Sequence, residues 1–375
     1  MKIQLEKRNS VKTKEKINFK LLFLILLVVS MGTIMVFSAS YPYALAHYGD
    51  GYYYIIRHSV FLVVGIASML LFSFVPVKFI KKASVWFYAI CVLLLIIVLF
   101  GGFSEGIAKR WLGIPGTPFS FQPSELMKLG IIGILSWYIS NRKKDGFISE
   151  IAIPGILLFL SCGLILLEKH LSGTVIVALI GICVIFISGA SIKKMLFTYG
   201  TVATLAGALF LFTNEYAMKR IESFLNPNAD KLSDKWQTIQ GLYAIGSGGV
   251  FGLGLGNSRQ KYCYVSEPQN DFIFTIWCEE TGYVGAIILI TVFVFLIKTG
   301  FGVAFNVDDK FSSLVAFGIT CQVAIQALLN MLVVTDLIPN TGISLPFFSY
   351  GGSSLVILLT EMGILLSISR NSKHI

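Results

Sequence analysis

The chain has 375 residues, of which 55% are hydrophobic and 13% charged, and a formal net charge of +10. Soluble domains carry about 25% charged residues, so half that share excludes a soluble enzyme and, with a mean hydropathy of +0.78, a disordered polypeptide as well. At about 20 apolar residues per crossing the length accommodates roughly ten transmembrane helices, so the expected fold is all-α, a polytopic integral membrane protein.

The first twenty residues hold seven basic side chains (Lys2, Lys7, Arg8, Lys12, Lys14, Lys16 and Lys20) against Glu6 and Glu15. A basic tail ahead of a first span is a positive-inside signal, not a nucleic-acid site. Uncharged apolar runs then predict spans at 21–38, 59–75, 84–101, 124–140, 152–167, 174–188, 195–212, 272–297, 311–334 and 348–368. Ser38-Ala39-Ser40 resembles a cleavage site, but the apolar core before it is too long for a signal peptide and further spans follow, so the first span reads as an uncleaved anchor. An even number of spans puts both termini in the cytoplasm. Loops then assigned to that side carry Lys78, Lys81, Lys82, Arg142, Lys143, Lys144, Lys193, Lys194, Lys298 and Lys310, and the C-terminal tail adds Arg370 and Lys373. The short loops opposite carry only Arg57, Lys109, Arg110 and Lys169, an asymmetry that supports this orientation. The expected organisation is a basic cytoplasmic tail (1–20), one ten-helix membrane domain (21–368) and a second cytoplasmic tail (369–375).

Two extracytoplasmic loops stand out, at 102–123 and 213–270. The second is far longer than a connection needs, and such loops are functional or disordered. Its glycines, Gly246 to Gly249 and Gly252 to Gly256, alternate with Trp236, Tyr243, Tyr262 and Tyr264, a mixture expected of an ordered or membrane-dipping loop. The G-x-G-x-G of Gly252 to Gly256 has no βαβ unit around it and is not read as a dinucleotide fingerprint. Cys91, Cys162, Cys183, Cys278 and Cys321 fall in apolar runs and Cys263 in a polar loop, without a C-x-x-C pair, so neither a disulfide framework nor a zinc site is expected.

Ionisable residues inside spans are costly and mark either function or a paired structural contact. Glu125 and Lys128 open the fourth span three residues apart, on one helical face. Asp271 opens the eighth, with Glu279 and Glu280 two to three turns deeper, and Lys109 and Arg110 lie in the loop before the fourth. These charges gather at one depth, in the outer leaflet, as an anionic ligand facing the cell exterior would require. Each has a plainer reading. Glu125 with Lys128 equally suits a structural ion pair, and Asp271 taken alone reads as a helix N-cap before it reads as a base. Glu361 reads as a buried, hydrogen-bonded structural carboxyl, and His170 as an exposed loop histidine.

The stretch Pro339-Asn-Thr-Gly-Ile-Ser-Leu-Pro-Phe-Phe-Ser-Tyr-Gly-Gly-Ser-Ser354 resembles the signature of the SEDS family (shape, elongation, division and sporulation), which comprises FtsW, RodA and SpoVE. Three further segments agree in order and topology: Lys109-Arg-Trp111 with Phe121-Gln-Pro-Ser-Glu125 and Lys128, Glu168 to Thr174, and Asn270-Asp-Phe-Ile-Phe274 with Glu279-Glu280. Val36-Phe-Ser-Ala-Ser40 is more similar to the division and sporulation members than to the elongation ones.

The resemblance implies a peptidoglycan glycosyltransferase of the bacterial cytoplasmic membrane. It would polymerise lipid II outside the cell, with the undecaprenyl pyrophosphate of the growing strand as leaving group. Asp271 matches the family's proposed catalytic residue and would deprotonate the acceptor hydroxyl. The implied substrate contacts are Arg110 and Lys128 on the pyrophosphate, Trp111 on a sugar or lipid face, Gln122, Glu125 and Ser349, with Glu279 supporting Asp271 or a cation. A divalent cation (Mg or Mn) suits the pyrophosphate, although no ligand spacing marks one. The implied partners are a class B penicillin-binding protein and other divisome or elongasome membrane proteins. The chain departs from the family at Ser120, where some relatives carry a basic residue, at Lys169, where Pro is common, and at His170, where many have Asp. Two competing readings are a lipid II flippase and a non-catalytic divisome scaffold. A flippase would need polar residues through both leaflets, and the inner half offers little beyond Glu361 and Glu280.

Overall fold

A computed structural model describes residues 17–104, 109–113, 120–142, 146–213, 235–262 and 264–372, with positions 218, 222, 224 and 225 between them. The basic tail up to Lys16, and Lys143, Lys144, Cys263 and Lys373, lie outside the described residues. Each predicted span is a helix. In chain order they are α1 (Phe19–Tyr48), α2 (Tyr53–Phe74), α3 (Val77–Gly101), α4 (Pro123–Asn141), α5 (Ile153–Leu167), α6 (Leu171–Ile187) and α7 (Ile192–Thr213). After α8 (Lys235–Ser247) come α9 (Ile273–Phe305), α10 (Lys310–Val334) and α11 (Gly352–Ser369). Among the described residues seven helical stretches are long and apolar enough to cross a membrane, namely α1, α2, α3, the run from Ile148 through α5, α9, α10 and α11. The other three expected spans are α4, α6 (only 17 residues) and α7.

α1 runs ten residues beyond its predicted end, through Pro42 to a left-handed Gly49. Its extra turns carry Tyr41, Tyr43 and Tyr48, side chains of the type that sits at a membrane–water interface. α2 and α11 pack closely through their glycines: a Cβ added to Gly65 would stand 2.5 Å from Leu359, and one added to Gly363 would meet the backbone of Met69. Small residues let helix backbones approach where lipid gives no hydrophobic drive to associate. Gly32 of α1 does the same for the carbonyl of Phe347 in the segment that leads into α11.

The loop at 102–123 is more ordered than a connection requires. It holds a small antiparallel sheet of β1 (Phe103–Ser104), β2 (Lys109–Gly113) and β3 (Ser120–Phe121), with Leu112 opposite Phe121. In the other long loop, α8 is followed by the glycine-rich segment, which closes onto a break in α9. At Gly282 (φ 70°, ψ −168°) the helix leaves αR geometry, a conformation open mainly to glycine. The loop satisfies the backbone groups that the break frees. Leu253 and Gly254 N–H donate to the carbonyls of Glu279 and Glu280, each at 3.0 Å. Tyr283 and Val284 N–H donate to the carbonyls of Gly249 (2.9 Å) and Val250 (3.1 Å). Unsatisfied backbone in a membrane costs several kcal/mol per group, so the loop and the broken helix depend on each other.

Candidate active site

A cavity of about 740 Å³ opens at the end of the bundle where the small sheet lies. One wall comes from Trp111 of β2, Gln122 and Glu125 at the start of α4, and His170 before α6. The opposite wall comes from Tyr48, Tyr53, Tyr54 and Arg57 of α1 and α2, where the Arg57 guanidinium stacks 3.9 Å from the Tyr53 ring centre. Glu267, Asn270, Gln326 and the signature segment from Gly342 to Ser344 and Tyr350 to Ser354 complete it.

Three amides of α10, spaced four residues apart, position this end of the site. Gln322, Gln326 and Asn330 are all buried on one helical face. Gln322 Nε2 donates to Glu361 Oε2 at 2.8 Å, which gives Glu361 the structural, hydrogen-bonded role expected of it. Gln326 accepts from Lys128 Nζ (3.3 Å) and donates to Ser344 (3.2 Å). Asn330 Nδ2 donates to the carbonyls of Asp271 and Ile343, both at 2.7 Å. Tyr350 N–H donates to the carbonyl of Gln269 (2.8 Å), so the signature segment and the Asp271 backbone are fastened together twice. The Asp271 carboxylate faces that segment: a Cβ added to Gly342 would stand 3.7 Å from its Oδ2. The N-cap position of α9 falls on Phe272, one residue after Asp271.

The other sequence-derived residues divide. Trp111, Gln122 and Glu125 line the cavity. Lys128 forms the expected ion pair with Glu125 at 2.7 Å but is 2% exposed and stands behind it, away from the lining. Arg110 Nη2 donates to the carbonyl of Lys169 at 2.6 Å, bracing the turn before α6. Two expected contacts are corrected. Glu279 is turned to the glycine-rich loop and not to Asp271: it accepts from Ser258 Oγ, Ser247 Oγ (3.3 Å) and the N–H groups of Arg259 (3.0 Å) and Gln260 (3.3 Å), anchoring that loop. Ser349 closes its own turn, with Oγ accepting from Leu345 N–H at 2.8 Å, and does not line the cavity. Glu280 belongs to the same anchor, held by Lys261 Nζ (2.8 Å) and by Ser38 Oγ (2.7 Å) from the motif at the end of the first predicted span.

His170 is a third correction. It is 8% exposed and sits in the cavity wall, not out in a solvated loop. Gln122 Nε2 and Ser124 Oγ each lie 3.1 Å from its Nδ1. Burial and the nearby Arg110 and Lys128 cations push its pKa down to about 3, so the ring is neutral. Two residues earlier, burial raises the Glu168 carboxyl to about 8 against the opposing pull of Arg110. Among the described residues no three His, Cys, Asp or Glu side chains converge as metal ligands.

Fold and site together define a polytopic, all-α membrane protein with a polar cavity at one end of the bundle; Asp271 does not itself line it, and its carboxylate stands beside the lining residue Gly342. The family described as Cell cycle protein (FtsW, RodA, SpoVE) matches residues 19–374, and the chain belongs to it. It is 38% identical to stage V sporulation protein E of Bacillus subtilis, over 94% of this chain and 97% of that protein. It is 36% identical to the probable peptidoglycan glycosyltransferase FtsW of Trichlorobacter lovleyi, over 94% and 93%. Among solved structures it is similar to a chain of a peptidoglycan synthase complex that coordinates polymerization and crosslinking (TM-score 0.79, 27% identity, 94% of this chain and 98% of that one). It is likewise similar to the rod shape determining protein RodA of Thermus thermophilus (TM-score 0.71, 26% identity, 96% and 98%).

Proposed function

We propose that this chain is a peptidoglycan glycosyltransferase that polymerises lipid II on the outer face of the cytoplasmic membrane, in division or sporulation. The observation that carries the reading is Asp271, its backbone carbonyl held by Asn330 and its carboxylate beside Gly342, a residue that lines a cavity of about 740 Å³. In the reaction the acceptor hydroxyl attacks the anomeric carbon of the lipid-linked strand. Asp271 takes the hydroxyl proton, the new glycosidic bond forms, and the bond from the anomeric carbon to the diphosphate oxygen breaks. The leaving group is undecaprenyl diphosphate. Arg57, which lines the cavity, and Arg110, braced beside it, offset the diphosphate charge; Lys128 acts through Glu125. Trp111 offers a ring face for a sugar.

Both termini lie in the cytoplasm in this reading, and a class B penicillin-binding protein crosslinks the product. Transport is less well supported. Deep in the bundle Glu361 is engaged by Gln322, and Glu280 by Lys261 and Ser38, so these carboxylates do not form a polar path. Purified protein in liposomes with fluorescent lipid II separates the readings. Glycan polymer on a gel supports the enzyme, lipid II crossing the bilayer without polymer supports a flippase, and neither product supports a scaffold.

A further inference from the structure

His170 has a defined orientation and an unclaimed nitrogen. Its ring lies against Gly173, where an added Cβ would come within 2.6 Å of both Cε1 and Nδ1. The amide nitrogen of Gln122 can only donate, so at 3.1 Å it makes Nδ1 an acceptor and leaves the proton on Nε2. Ser124 Oγ crowds the same side, also at 3.1 Å. The remaining nitrogen belongs to a ring that lines the cavity, and no protein group among the described residues bonds to it.

We propose that His170 is a substrate-binding residue that acts as a neutral donor, its Nε2–H holding a phosphate or carbonyl oxygen of the ligand while Gln122 sets the tautomer. The proposal rests on the reading of the cavity as the site of a lipid-linked sugar diphosphate. The surrounding charges explain why a neutral donor serves here. Arg110 and Lys128 approach the ring from β2 and α4, and a third positive charge among them would be opposed by both. Glu168, in the same turn, is 3% exposed and held toward its neutral form by burial. A neutral N–H adds directional recognition of an oxygen without adding charge.

The test uses the full chain in nanodiscs. Histidine ¹⁵N spectra, with His170 assigned by difference from His170→Asn, should show an Nε2–H tautomer unchanged from pH 5.5 to 8. An imidazolium or an Nδ1–H tautomer overturns the proposal. Affinity is then measured for undecaprenyl diphosphate and for lipid II. His170→Asn, too short to reach the cavity, should lose about tenfold in affinity, the loss expected for one hydrogen bond to a charged or carbonyl oxygen. His170→Gln places an amide N–H near the position of Nε2 and should recover most of it. Loss for both lipids identifies a phosphate oxygen, and loss for lipid II alone identifies an oxygen of the sugar. Unchanged affinity for both lipids in the Asn variant, or no recovery by Gln, overturns the assignment. Binding and tautomer as expected but no polymer from the parent protein would count against the enzymatic reading alone.

Discussion

Replacing Lys261 by Met tests the buried anchor that ties the glycine-rich loop to Glu280. Lys261 Nζ lies 2.8 Å from Glu280, with the two side chains 4% and 0% exposed. The gross attraction at that distance is about 6 kcal/mol at an effective dielectric of ~20, partly offset by desolvation of both ions. Lys261→Met leaves the Glu280 carboxylate with the Ser38 hydroxyl and a 3.4 Å contact from Ser258 N–H. Removing one member of a buried pair costs about 3–5 kcal/mol because the other charge remains. Lys261→Met with Glu280→Gln removes both charges and should be the more stable variant, with a coupling of at least ~2 kcal/mol in the double-mutant cycle. Denaturant titration in lipid micelles reads these differences. A Lys261→Met protein within about 1 kcal/mol of the parent, or a double variant no better than the single one, would refute the buried-anchor account of these residues.

Three further outcomes are expected. Gly282→Ala should cost about 2 kcal/mol or more, since alanine is strained in a left-handed region and its Cβ would meet the backbone of Gly252 and Val250; the same titration measures it. Asn330→Leu should lower kcat by about tenfold or more, with the melting temperature falling little beside it, because Asp271 and Ile343 lose the donor that fixes them. Stability should fall as pH rises from 6.5 to 8, because the Glu168 carboxyl keeps its proton in the folded chain up to about 8 and loses it near its usual 4.5 when unfolded. Melting scans at the two pH values should show that slope in the parent and a smaller one in Glu168→Gln.

The helices at the predicted spans were legible because an apolar run of about 20 residues has few alternatives in a chain this poor in charge. Glu125–Lys128 was legible from its three-residue spacing. The glycine-rich loop was not, because its function is to satisfy a broken helix remote in sequence, and a glycine inside a span, Gly282, does not by itself mark a break. Glu279 misled for the same reason: a charge in a span signals a partner but does not say which one, and Ser258 and the N–H groups after it supplied that partner. The missed residues were neutral. Gln322, Gln326 and Asn330 repeat every four residues in α10, a polar stripe that a search for charge passes over. His170 reads as a loop residue until β2 and α4 close over it.

The central claim is that Asp271 is the base. Asp271→Asn keeps size and shape and removes the proton acceptor, and a general base contributes about 10²- to 10⁴-fold. The decisive measurement is the initial rate of lipid II polymerisation by the purified Asn variant, with its melting temperature and membrane insertion matched to the parent. The account predicts a loss of at least about 100-fold with the fold unchanged. Polymer made at a rate near that of the parent would contradict it.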